Sequence, residues 1–213
     1  MRICARVSRE HDWEWIRSYA SNRLKNEKTG HDRKHISRVL RTAMEIAPHM
    51  DGVDYDVLVA SCLLHDISMG TGQSKDHHVH SAEQAGELLR HIGFPAKKVI
   101  AVQHAILRHN RGFAKQKPKG KLSIEAKILC DADRIDALGA IGLRRMKLFS
   151  QKQGVPEFIS VDDHLDESLY GNVKYLIGLA DDMLTEEGKK MAKGSTRVLK
   201  LFLKKMEKRY GTD

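Results

Sequence analysis

"DVLVASCLLHDI" (Asp56–Ile67) is the segment on which the fold turns. It is too apolar for the outer face of a surface helix, and its residues do not alternate as in a half-buried strand. It reads either as a strand buried on both faces or as a helix buried on most sides. Its length and its Ala, Ser, Cys and Leu content favour a central helix. The apolar run then stops at two polar, metal-competent side chains in succession, His65 and Asp66. A helix end meeting solvent would account for them, and so would half of a metal site. The choice rests on whether the rest of the chain supplies further ligands.

On either side of this segment the three-and-four spacing of amphipathic helices recurs. "HISRVLRTAMEIA" places Ile36, Val39, Leu40, Ala43, Ile46 and Ala47 on one stripe. "SAEQAGELLRHIGFP" does so with Ala82, Ala85, Leu88, Leu89 and Ile92; Gly93 is its stop, and Pro95 suits the first turn of a following helix bearing Val99, Val102, Ala105 and Ile106. "LSIEAKILCDADRIDALGAIGLRRMKLF" reads as a long helical stretch eased by Gly139 and Gly142. Residues from about Leu165 to Tyr210 read as two helices broken near Gly194. Convincing strands, internal repeats and low-complexity segments are absent, so the expectation is one all-α domain over residues 1–213. The polar stretches 68–78 and 110–121 are its expected functional loops.

With 213 residues, 41% hydrophobic and 31% charged, the chain can bury one sizeable core. It has no run of about 20 apolar residues to span a bilayer. Three scattered cysteines (Cys4, Cys62, Cys130) and the lack of an apolar leader fit a reducing cytoplasm. The formal net charge of +9 is concentrated in "RGFAKQKPKGK" (111–121) and in 189–210, where nine Lys and Arg face only Glu207. Such runs are either solvated faces or contacts for an anionic substrate or nucleic acid. Nucleic acid is the weaker option, because the tail lacks a regular interleaving of aromatic residues on which bases would stack.

Further candidate ligands lie where helices begin or end. His35 opens the helix carrying the Val39 stripe, and His109 closes the one carrying Val102, Ala105 and Ile106. Asp131 and Asp133 sit within an otherwise apolar helix, where an unpaired carboxylate is costly. Imidazoles with carboxylates and no thiolate suit Mn²⁺, Fe²⁺, Co²⁺ or Zn²⁺. Taken singly, a histidine near a helix end is more often a cap or a satisfied core residue than a ligand.

Taken together, His35, His65-Asp66 and Asp133 in "DADRIDALGAIG" resemble the H…HD…D signature of the HD-domain superfamily of metal-dependent phosphohydrolases. "HDRKHISRV" is similar to the opening motif of that family, and "EAKILCDADRIDALGAIGLRR" and "DDMLTEEGKKMAKGSTRVLKLFLKKM" are similar to segments of its small single-domain members. The resemblance covers roughly residues 25–208. It implies a helical bundle with an HD core over about 25–150 and C-terminal helices, about 165–210, packing on it. Departures at Arg33, at Cys130 and in "LHDISMGTGQSK" bear on the substrate rather than the metal.

The resemblance implies that His35, His65, Asp66 and Asp133 bind one divalent ion: Mn, Fe, Co, Zn or Ni, with Mg a further candidate. His11-Asp12 and His31-Asp32 are read instead as helix starts, with Asp32 as cap or first-turn carboxylate. A metal-bound water would attack phosphorus. Candidates to screen the phosphoryl charge are Arg38, Lys75, Arg134, Arg145 and Lys174, and Asp131 would orient a ligand imidazole or the water. His77, four residues before Ser81, and His109 would line the substrate pocket or complete a second metal site. The implied substrate is a small phosphorylated anion, a nucleotide, and the resemblance points to a homodimer. One alternative is a phosphodiesterase of cyclic or oligomeric nucleotides with two metals. Another is a non-catalytic nucleic-acid-binding or regulatory module.

Overall fold

The structure, a computed structural model, describes residues 12–27, 30–71, 76–109, 120–159 and 167–211. Lys75 and most of the basic loop lie outside them. Nine α-helices and no strand occur among the described residues, and no helix is long and apolar enough to cross a membrane. The chain forms two compact units, Met1–Asp133 and Arg134–Asp213.

In the first unit, α1 (Trp13–Arg23), α2 (Arg33–Ile46), α4 (His77–His91) and α5 (Ala96–Arg108) all pack on α3 (Tyr55–Leu64). Every α3 residue from Asp56 to Leu64 is buried, so the segment is the central helix its composition suggests. Because helices cover it on several sides, it needs no polar face. Asp54 caps it, accepting hydrogen bonds from the Asp56 and Val57 amides. Lys98 of α5 donates to Asp54 (3.1 Å) and Asp56 (2.7 Å), and Glu125 accepts from the Asp54 amide at 2.9 Å. Pinned at its start, α3 delivers its C-terminus at a defined place.

The α2 stripe is buried throughout. Asp32 is its N-cap and accepts from the Lys34 and His35 amides at 2.9 Å each, which sets the ring of His35 one turn into the helix. Asp12 caps α1 in the same way through the Trp15 amide.

The 122–149 stretch is two helices rather than one: α6 (Ile124–Asp136) and α7 (Gly139–Gln153), with a corner at Ala137–Leu138. Gly142 permits the corner, because a Cβ there would stand 1.8 Å from the Ala137 carbonyl oxygen. The C-terminal break also differs from the expected one. It falls at residues 179–185, between α8 (Leu169–Gly178) and α9 (Glu186–Tyr210), and Gly194 lies inside α9. Thr185 caps α9 by accepting from the Gly188 amide, and its buried stripe of Ala192, Thr196, Leu199, Leu203 and Met206 runs without interruption past Gly194. A continuous apolar face outweighs the roughly 1 kcal/mol cost of one helical glycine. The nine Lys and Arg of 189–210 are all exposed, the solvated outer face of this helix.

Candidate metal centre

Two of the histidines occupy the same kind of position. His65 is the C-cap of α3 and His109 the C-cap of α5, where the last carbonyls of a helix lack amide partners. Each ring turns back: His65 Nδ1–H donates to Cys62 O at 3.0 Å, and His109 Nδ1–H donates to Ile106 O. That fixes the tautomer and leaves both Nε2 lone pairs facing away from the backbone.

They face Asp66, which is 1% exposed. Its Oδ2 lies 2.7 Å from His31 Nδ1, 3.3 Å from His35 Nε2 and 3.3 Å from His65 Nε2. Its Oδ1 lies 3.5 Å from His77 Nε2 and 3.8 Å from His109 Nε2, and accepts no hydrogen bond although buried. The five imidazoles close a circuit around this carboxylate. Ring centroids are 5.4 Å apart for His31–His35, 5.3 Å for His35–His65, 5.0 Å for His65–His109, 5.6 Å for His109–His77 and 6.1 Å for His77–His31. Asp133, on α6, brings Oδ1 to 3.4 Å from His35 Nε2.

This donor set fits a divalent cation. His35 Nε2 and His65 Nε2 stand 3.2 Å apart. Donors about 2.1 Å from a shared ion stand about 3.0–3.4 Å from one another at octahedral or tetrahedral angles. The His35–His65, His35–Asp66, His65–Asp66 and His35–Asp133 separations fall in that range. Among the described residues, three groups have donor atoms mutually within 4.8 Å: His31–His35–Asp66, His35–His65–Asp133 and His65–Asp66–His109.

The electrostatics agree. Burial opposes ionisation of Asp66, but the surrounding His65 and His31 overcome it and hold the carboxyl well below its ordinary range. Asp133 is lowered likewise, its burial outweighed by His35, His65 and His109. For His65, burial is outweighed by Asp66, and the pKa rises. His109 is pushed down to about 4 by burial and by His65, so it is neutral near pH 7 and can offer a lone pair.

The other candidates are placed as follows. Asp131 is fully buried and belongs to none of the three groups. Arg134 is buried and donates through Nη1 to the Asp182 carbonyl at 2.6 Å. Arg145 pairs with Asp136 at 3.1 Å, and Lys174 is exposed on α8. Arg38 lines a groove between α1 and α2.

Three residues of the site had been given no role from sequence. His31 lies within the HDxxH motif, but Asp32 alone was read there, as a cap. Ser68 and Ser81 hold His77 in place. The Ser68 amide donates to Ser81 Oγ (3.2 Å), Ser81 Oγ donates to Ser68 Oγ (2.9 Å), and Ser68 Oγ donates to the His77 carbonyl (3.0 Å). Ser81→Ala leaves the buried Ser68 amide unpaired, with an expected loss of about 1–3 kcal/mol. Thermal denaturation checks this; an unchanged melting temperature would mean that another group takes up that amide.

A family model, "HD domain", matches residues 33–138. The chain is 29% identical over 199 residues to the uncharacterised protein YpgQ of Bacillus subtilis, covering 92% of each. A crystal structure of YpgQ in complex with ADP superposes with a TM-score of 0.71 at 28% identity, over 92% of this chain and 94% of that one. A predicted HD superfamily hydrolase from an uncultured Thermotogales bacterium superposes with a TM-score of 0.63 at 26% identity, over 92% of each chain. The 3'-5' exoribonuclease YhaM of Halalkalibacterium halodurans is 28% identical over 116 residues, 48% of this chain and 36% of YhaM. The matched interval begins at Arg33, just before His35, and ends at Leu138, just after Asp133, so it encloses His65 and Asp66 as well: the chain belongs to the HD superfamily of hydrolases.

Proposed function

We propose that the chain is a metal-dependent phosphohydrolase that releases phosphate or pyrophosphate from a nucleotide in the cytoplasm. The observation that carries this reading is the convergence of His35, His65 and Asp66 at ligand-like separations of 3.2–3.3 Å, with Asp133 3.4 Å from His35. A divalent ion held there would act as a Lewis acid and lower the pKa of a bound water towards neutrality. The Cys62 carbonyl keeps the His65 lone pair turned inward. Asp66 and Asp133 stay ionised, and their charge offsets that of the ion. The neutral His109 presents Nε2 as a proton acceptor beside Asp66, where an attacking water would need one. A nucleotide substrate is supported by the ADP held by YpgQ.

One observation favours a second reading. Asp66 Oδ1, without a hydrogen bond, faces His77 and His109. An ion there would share Asp66 with the first, as suits a phosphodiesterase acting on a cyclic or oligomeric nucleotide.

The test is metal content and hydrolysis on the same preparation. Protein reconstituted with Mn²⁺ is offered nucleoside mono-, di- and triphosphates and a cyclic dinucleotide, with phosphate and pyrophosphate measured separately. One equivalent of metal with nucleotide turnover supports the first reading. Close to two equivalents with cleavage of the cyclic substrate supports the second. Full metal occupancy without turnover of any substrate would remove both.

A further inference from the structure

Of the five imidazoles around Asp66, His31 stands closest. Its Nδ1 lies 2.7 Å from Asp66 Oδ2, while His35 Nε2 and His65 Nε2 each lie 3.3 Å from the same oxygen. Two donors about 2.1 Å from one ion stand about 3.0–3.4 Å apart. A separation of 2.7 Å is too short for that pairing and is the length of a charge-assisted N–H···O bond, about 2.7–2.9 Å. An ionised carboxylate only accepts, so His31 Nδ1 carries the proton. Asp66 Oδ2 therefore takes a hydrogen bond from His31 and stands at ligand spacing from His35 and His65.

The backbone holds the His31 ring from both sides. Glu27 Oε2 accepts from the Gly30 amide at 3.0 Å and from the His31 amide at 2.8 Å. Gly30 has a φ of 101°, in the left-handed region that glycine enters without steric cost. The residue after His31 is Asp32, the N-cap of α2, which accepts from the His35 amide. One short turn thus places both His31 and the ligand His35. The His31 ring stands edge-on to that of His35, with 74° between their planes. Its side chain is 28% exposed, whereas Asp66, His35 and His65 are buried. Loss of this ring takes a hydrogen bond from a buried carboxylate without emptying the core. The consequence falls on the turn of the Asp66 carboxylate. Rotation about the last bond of an aspartate is broad and roughly two-fold, so its two oxygens are distinguished by their partners. Here His31 bonds Oδ2, and Oδ1, which accepts no hydrogen bond, faces His77 and His109.

We propose that His31 is a positioning residue rather than a ligand: its Nδ1–H bond sets the turn of Asp66, committing Oδ2 to the ion held with His35 and His65. The proposal rests on the metal centre described above and not on any particular substrate. Full-length wild type, His31→Ala and His31→Asn are stripped of metal by chelation and titrated with Mn²⁺. Binding is followed by calorimetry, and free Mn²⁺ by its electron paramagnetic resonance, so no turnover enters the measurement. His31→Ala should bind Mn²⁺ about 10–100-fold more weakly, the usual effect of losing a partner that orients a metal ligand. His31→Asn sets an amide N–H where Nδ1–H stood and should lose less than about tenfold. Circular dichroism checks folding; if His31→Ala does not fold, His31→Phe, which keeps a ring but no donor, takes its place with the same expected loss. The proposal is overturned if the variant without a donor binds Mn²⁺ like wild type. It is equally overturned if His31→Asn is as weak as that variant, since the imidazole itself would then be what the ion needs. Wild type that takes up no Mn²⁺ removes the metal centre, and the role of His31 with it.

Discussion

Asp66→Ala is expected to abolish metal binding and to lower hydrolytic turnover at least about a thousandfold, since partners one step removed from a metal are already worth about 10–100-fold. The reason lies in its position. The carboxylate is within 4 Å of five imidazole nitrogens. Its removal takes away the charge that holds the His65 pKa up and leaves His31 without its 2.7 Å partner. Asp66→Asn separates charge from shape. The amide fills the same space, but its nitrogen cannot ligate, and it too should lose the metal. Elemental analysis and initial rates, with circular dichroism to check folding, decide the matter. A folded Asp66→Ala protein retaining full metal would place the ion elsewhere and sink the assignment.

Gly70→Ala is expected to cost about 3 kcal/mol, at the upper end of overpacking penalties, and so about 6–12 °C in melting temperature for a chain of this size. Gly70 lies in a short 3₁₀ turn (Ile67–Thr71) directly after the His-Asp pair. A Cβ there would stand 1.8 Å from the Arg23 carbonyl oxygen and 2.7 Å from its carbon, at the end of α1. Backbone cannot yield as a side chain can, so the turn has to move. That turn also carries Ser68, through which His77 is positioned. Metal content should therefore fall along with stability. A melting temperature within a degree of wild type would mean that α1 shifts freely at its C-terminus.

Both effects concern features that differ in how far sequence discloses them. The central α3 was legible because twelve residues with little polar content have few ways to be buried. The amphipathic stripes of α2, α4 and α5 were legible for the same reason. The corner between α6 and α7 was not. Gly142 reads as an easing of a helix, and only the 1.8 Å approach to Ala137 shows it to be what permits a sharp turn. The break at 179–185 was misplaced to Gly194, because composition marks a glycine as weak while the buried stripe of α9 overrides it. Arg134 shows a further limit. Adjacent to Asp133, it reads as a phosphate-screening cation, yet its side chain is buried on the Asp182 carbonyl. Neighbours along a helix point about 100° apart, so adjacency in sequence says little about a shared site.

By itself the sequence determined the all-α class, the superfamily and the cluster of metal-competent groups, because each depends on residue type and spacing within single helices. Tertiary structure alone decided that five histidines surround Asp66 and that its two oxygens face different sets of them. Those facts depend on the angles at which α1, α2, α3, α4 and α5 meet. Such angles are set by packing between segments tens of residues apart, and local periodicity does not carry them.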